Sequence, residues 1–233
     1  MFENVINSHI HRVKWNPEGT VMAAASPANP ADPAGPLRRE PSQRRSRERV
    51  ERILAVATGL IAAQGSDALR MAEVAAKAGI SIGSLYQYFP DKAAIIRALA
   101  ERYNAEGRAC IEDGLREVRD TVGLRRAFGE LIDIYYGLFL AEPVMRDIWS
   151  GLQADKGLRE IDLEDSRING RVLADALARI DPAADRAALF TRAFLVMQLG
   201  EATMRLAISV GREEGAALVE AYKRMALREL APE

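Results

Sequence analysis

The sequence predicts an all-α protein: a helix-turn-helix unit near the N-terminus, then a larger helical half. Three observations predict it. Ala, Leu, Arg and Glu dominate while β-branched and aromatic residues are sparse, a mixture that favours helix. Apolar residues recur at the i, i+3, i+4, i+7 spacing of an amphipathic helix. Two short helical patterns are separated by a tight turn containing a glycine, between longer ones.

The first forty residues stand apart. "ASPANPADPAGP" has neither helical nor strand period, so residues 1–40 are expected to be a disordered tail. The stretch before it lacks the basic-then-apolar layout of a signal peptide, and Met22 is an alternative translation start. His9 and His11 lie in this tail and read as solvated, not as a metal site.

From Pro41 the pattern becomes helical. Val50, Ile53, Leu54, Ala57, Leu60 and Ile61 share a face, and "QGSD" at 64–67 ends the first helix. Met71, Val74, Ala75 and Ala78 mark a two-turn second helix before Gly79. Ser81 is an N-cap for a third helix from Ile82 to about Tyr88, and Pro90 stops it. Asp91 caps a long fourth helix through Ile95, Ile96, Leu99 and Tyr103.

On the third helix, 100° per residue places Leu85 and Phe89 on the core side, with Ile82 near its edge. Gly83, Ser84, Gln87 and Tyr88 face outward, and Tyr86 falls between. Such a face suits a major-groove reader. Small residues allow close approach, and Gln can pair with an adenine edge. Ser81, tyrosine hydroxyls and Lys92 suit phosphate oxygens. Charge agrees: from Leu37 to Lys92 there are eight Arg and two Lys against six acidic residues, while the remainder to the C-terminus is net acidic.

The stretch Arg47 to Leu99 resembles the DNA-binding domain of the TetR family of bacterial transcriptional regulators. "ILAVATGLIAAQG", "MAEVAAKAGIS" and "GSLYQYFPDKAAI" carry the resemblance. The last matches the family's G-x-L-Y-x-Y-F-x-x-K pattern at Gly83, Leu85, Tyr86, Tyr88, Phe89 and Lys92. The match implies a helix-turn-helix domain over 41–98 and a helical effector-binding and dimerisation domain over 99–233. It implies contacts to double-stranded DNA, a palindromic operator, from Ser81, Ile82, Gly83, Ser84, Tyr86, Gln87, Tyr88 and Lys92, and Arg70, which departs from the family pattern, is expected to reach a phosphate directly. Arg44, Arg45 and Arg47 would form an arm along the duplex. One departure stands out: Leu69-Arg70 precedes the second helix where the family places Ser or Thr.

The family plan also implies a homodimer through the last two helices, an unidentified small-molecule effector, a cytoplasmic setting and no cofactor. In the larger half, breakers fall at 120–121, 142–143, 155–157, 181–182 and 211. The helix near 185–210 is apolar on two sides. Phe190, Phe194, Met197, Met204 and Ile208 form one stripe, with Glu201 inside it. Leu195, Leu199, Ala202 and Leu206 form the other. One stripe is expected to face the core and the other a partner, joined by Leu218, Ala221, Tyr222 and Met225 of the last helix. On the helix near 161–180, Ile161, Ile168, Val172, Ala176 and Ile180 share a face with Asp165 and Asn169. Two readings stay open. Asp165 or Glu201 pairs with an arginine such as Arg146 or Arg205 in a buried polar network. Or Tyr136, Phe139, Trp149, Phe194 and Met197 line a ligand pocket in which Asp165, Asn169 or Glu201 orients the effector.

The rivals are weaker. A helical enzyme lacks a histidine in the folded region, a partner for Cys110, and any Walker or dinucleotide glycine motif. A helical protein-interaction module without DNA binding would have no use for Gly83, Ser84, Tyr88 and Lys92 exposed together. No run of about 18 apolar residues suggests a membrane span.

Overall fold

The computed structural model describes residues 40–154 and 156–231, so the expectations for the tail before residue 40, His9, His11 and Met22 among them, lie outside it. Every described element is a helix: α1 Glu40–Gln64, α2 Met71–Ala78, α3 Ile82–Tyr88, α4 Lys92–Leu115, α5 Thr121–Ala141, α6 Pro143–Ala154, α7 Lys156–Ile180, α8 Arg186–Ser209 and α9 Arg212–Leu230. Among the described residues no helix is long and apolar enough to cross a membrane.

The described residues divide into two units at the Arg49–Val50 boundary within α1. In the first, Arg44, Arg45 and Arg47 are exposed, and Arg44 pairs with Glu48 at 3.2 Å. The second is built from local rules. Ile53, Leu54, Ala57, Leu60 and Ile61 form the buried stripe of α1. α2 ends in a Schellman motif: Gly79 takes φ +66°, its N–H bonds Ala76 O, and the Ile80 N–H bonds Ala75 O. Ser81 accepts from the Ser84 N–H at 3.1 Å, and Asp91 from the Ala94 N–H at 2.8 Å. Both use the side chain to satisfy an orphan amide at a helix start.

In the larger half α8 packs between α7 and α9. Gly170 sets the first contact, since a Cβ there would come within 2.9 Å of the Phe194 Cα. Gly215 sets the second, where a Cβ would collide with the Ala207 carbonyl. Lys223 of α9 reaches Asp133 of α5 at 2.7 Å, and Arg125 donates to the carbonyl of Ala231, the residue that ends α9.

Candidate nucleic-acid interface and effector region

α3 is held by one fully buried anchor, Leu85, with Phe89 behind it. Around that anchor the exposed residues are Ser81, Ile82, Gly83, Tyr86 and Gln87. Ser84 and Tyr88 are half-buried, and Tyr88 packs its ring against the core. This corrects the expected order of the two tyrosines: Tyr86, at 51 % exposure, is the outer one. A seven-residue helix cannot hide both rings, and Tyr88, one residue before the buried Phe89, takes the inner place.

Gly83 is informative. Nothing of the protein lies within 4 Å of where its Cβ would be. Gly83 is the second residue of α3, in its first turn, and no contact with the rest of the protein requires a glycine there. Lys92 is exposed and donates from Nζ to the Asp67 carbonyl at 3.1 Å, tying α4 to the turn after α1. Arg70 stands at the N-cap of α2, exposed and without a side-chain cap bond. Its backbone carbonyl accepts from Glu73 and Val74 instead.

This region is joined to the larger half by polar contacts that the sequence did not suggest. Buried Ser66 donates to the Asp147 carbonyl of α6 at 3.1 Å, and Arg102 of α4 pairs with Glu51 of α1 at 2.6 Å.

In the larger half Phe139 and Trp149 are buried and meet edge to face, with Tyr135 on the other side of Phe139 at 5.0 Å. Tyr136 is half-buried; its hydroxyl and Trp149 Nε1 have no hydrogen-bond partner. Phe194 is stacked on Phe190 at 5.9 Å, with the Arg167 guanidinium 5.6 Å from its ring centroid. Met197 is half-buried.

The polar residues form a network. Asp162, Asp165, Ser166 and Asn169 are buried along α7 at i, i+3, i+4, i+7. Asp165 pairs with Arg108 of α4 at 2.5 Å and accepts from Asn169 at 2.9 Å. Glu201 accepts from Ser166 at 2.6 Å, with Gln198 donating to Ser166 at the same distance. Arg205 approaches Glu201 at 3.8 Å and Asp162 at 3.7 Å. The network reading therefore holds for Glu201 and Arg205. Asp165 is paired with Arg108, not with Arg205 or Arg146, which is exposed. The first half of the buried face of α7 is polar where an apolar one was expected, and Ile161, Ile168, Val172 and Ile180 are only half-buried, whereas its second half is apolar, with Leu173, Ala176 and Leu177 buried. The signal that would have found it, four polar residues at helical spacing, was in the sequence.

Electrostatics follow from burial. Desolvation pushes the Glu201 carboxyl up to about 8, aided by the negative charge of Asp162 and opposed by Ser166 and Arg205. Asp162 and Asp165 are also raised by burial, against the pull of Arg205 and Arg108 respectively. Among the described residues no group of His, Cys, Asp and Glu is arranged to hold a metal ion.

On α8, Leu195, Leu199 and Leu206 are 57 %, 44 % and 50 % exposed, and Ala202 is exposed beside them. Met225 of α9 is exposed, with Leu218 and Ala221 half-buried. Tyr222 departs from the expected partner face. It is buried in its own chain and donates to the Val196 carbonyl at 2.7 Å. That bond needs the ring to cross beneath Gly200, where a Cβ would crowd its oxygen.

Comparison with known proteins agrees at both ends of the chain. Residues 53–99 match the family model for bacterial regulatory proteins of the tetR family, and residues 122–233 match the tetracyclin repressor-like C-terminal domain. A TetR-family regulator from Streptomyces coelicolor is similar in structure: TM-score 0.61, 24 % identity, 79 % of this chain and 97 % of that one. One from Mesorhizobium loti gives TM-score 0.63 at 20 % identity over 80 % and 97 %. FadR from Bacillus subtilis, in complex with stearoyl-CoA, gives 0.56 at 18 % over 78 % and 98 %. None of the curated proteins compared matches this sequence.

Proposed function

This chain belongs to the TetR family of bacterial regulatory proteins, whose members are transcriptional regulators and not enzymes, and we propose that it is a homodimeric repressor released from its operator by a small apolar or amphipathic effector. DNA-binding transcriptional regulation is the property of the family. The observation that carries the reading to these residues is Gly83, an open glycine on the exposed face of α3 with Ile82, Tyr86 and Gln87 around it. A helix keeps such a gap at a cost to its own stability when another surface must come close.

In this reading the domain over 41–98 reads DNA. Ile82, Gly83, Tyr86 and Gln87 enter the major groove, while Ser81, Ser84, Tyr88, Arg70 and Lys92 serve the phosphates and Arg44, Arg45 and Arg47 follow the backbone. The domain over 99–233 pairs two subunits through Leu195, Leu199, Ala202, Leu206, Leu218, Ala221 and Met225. Effector binding among Tyr136, Phe139, Trp149, Asp165, Asn169, Phe194, Met197 and Glu201 moves the two recognition helices off their spacing of about 34–36 Å. The cytoplasm is where such a protein meets its operator.

The test is a gel shift on the DNA upstream of its own gene, across a salt series. Palindrome-dependent binding is expected, with a log–log salt slope of about −0.9 per neutralised phosphate. Gln87→Ala is expected to weaken it about tenfold, one bidentate base contact. Binding to no fragment of the genome in this assay would end the recognition-helix reading. Sedimentation of Leu199→Asp, expected to be monomeric where the parent is dimeric, tests the subunit face.

A further inference from the structure

Between Val50 and Leu99 every large apolar side chain is buried or packed against the core, with two exceptions: Ile82 at 42 % exposure and Tyr86 at 51 %. Both stand on α3, one turn apart. A single exposed apolar residue on a surface needs no explanation. These two form a row on the face that also carries the open Gly83 and the exposed Gln87. At about 100° per residue, Ile82 and Tyr86 lie about 40° apart, and Gly83 and Gln87 form a second row about 100° further round the helix.

The two rows suit different chemistry. The Gly83 row lets a duplex come close and presents the Gln87 amide, a donor and an acceptor, to a base edge. Ile82 has no polar side-chain atom, so it can bond neither a base edge nor a phosphate. What it can gain is removal from water, and in the major groove one apolar group marks a base: the 5-methyl of thymine. Its branch at Cβ holds χ1 in one well on a helix, so little rotamer freedom is lost on contact. Tyr86 differs, because its hydroxyl can serve a phosphate. Five residues separate Ile82 from Gln87, about 7.5 Å along the axis, or about two base steps.

Resting on the recognition-helix reading above, we propose that Ile82 is a specificity-determining residue that reads the 5-methyl group of a thymine in each operator half-site, about two base pairs from the base that meets Gln87. An Ile82 that served only the fold would leave the chain indifferent to that methyl.

The experiment is a fluorescence-anisotropy titration of the full chain with the operator fragment found by gel shift, made once with thymine and once with uracil. Uracil keeps the O4 acceptor and the pairing with adenine, and lacks only the methyl. The parent is expected to bind the uracil fragment about fourfold more weakly per half-site, the effect of one methyl group no longer removed from water. Single thymine-to-uracil exchanges should trace the loss to one position in each half-site. Ile82→Ala should weaken binding to the thymine fragment by a similar factor and bring the thymine-to-uracil ratio at that position to about one, while Ile82→Val should keep most of it.

Equal affinity of the parent for the two fragments overturns the assignment and leaves the recognition-helix reading intact. An Ile82→Ala variant that binds both fragments more weakly but keeps the parent's ratio overturns it as well, since Ile82 would then be structural and the methyl read by another residue such as Tyr86. Should Ile82→Ala fail to fold, the ratio measured with Ile82→Gln decides in the same way. Failure of the parent to bind any genomic fragment ends the recognition-helix reading, and this assignment with it.

Discussion

Two interiors in this chain are built differently. From Val50 to Leu99 the buried side chains are apolar except for Ser66, and that hydroxyl is satisfied by the Asp147 carbonyl. Between α4, α7 and α8 the interior holds Asp162, Asp165, Ser166 and Asn169, and polar atoms of Arg108, Asn169 and Arg205 have no hydrogen bond. A dry, satisfied core gives a single stiff shape, as a surface that must fit a groove requires. A polar interior with unmet groups is less stable by itself and responsive to what enters it. The reading end keeps its departure from maximal stability on the outside, at Gly83. The other end keeps its departure inside.

The largest test of this contrast is truncation of one core side chain in each region. Leu85→Ala and Phe139→Ala should each lower stability by about 3–5 kcal/mol in urea denaturation. A cost under about 1 kcal/mol for Phe139→Ala would mean that the aromatic group is loosely filled, and the contrast would sharpen. Next in size is the Arg108–Asp165 pair. Asp165→Asn should cost about 2 kcal/mol by leaving a partly buried guanidinium unpaired, whereas Arg108→Met with Asp165→Leu should recover most of it. A double variant as unstable as the single would show the pair to be stabilising, and the two interiors to be less different than argued.

The pH dependence comes third. Glu201 has a folded value of about 8, above the ordinary carboxylate value of 4.5 that it regains on unfolding. The folded chain therefore holds the extra proton between these limits, and stability is lost as pH rises through that window. The slope should reach at most about 1.4 kcal/mol per pH unit for one proton. Asp162 and Asp165, also raised, act in the same direction. Thermal melts of the parent and Glu201→Gln should diverge above about pH 5 and run parallel beyond about pH 8. The smallest effect is at the surface. Gly83→Ala should raise stability by up to about 1 kcal/mol while weakening operator binding. A variant that gains stability and binds DNA unchanged would remove the argument from the open glycine.

Much of the architecture was readable because its causes are local. Ser81 and Asp91 cap α3 and α4 where their residue types placed them, and Gly79 ends α2. Leu195, Leu199 and Leu206 were legible as a second stripe because three leucines at helical spacing opposite a first apolar face leave one face over. The site was less readable. Tyr86 and Tyr88 are nearly equivalent by periodicity, and only the position of the α3 end against the core chose between them.

The sequence by itself determined the helices, their caps and breaks, and the motif residues on α3, since each depends on residues within one or two turns. Only the tertiary structure decided that Asp165 is paired with Arg108, which lies 57 residues away. It also decided that Tyr222 turns inward to Val196 while Met225 stays outside. A buried charge takes as partner whatever helix crosses opposite it, and that crossing is set by long-range contacts such as Gly170 against Phe194. Helical period fixes a side chain's angle around its own axis. The neighbour it meets there is fixed by the packing of the whole bundle.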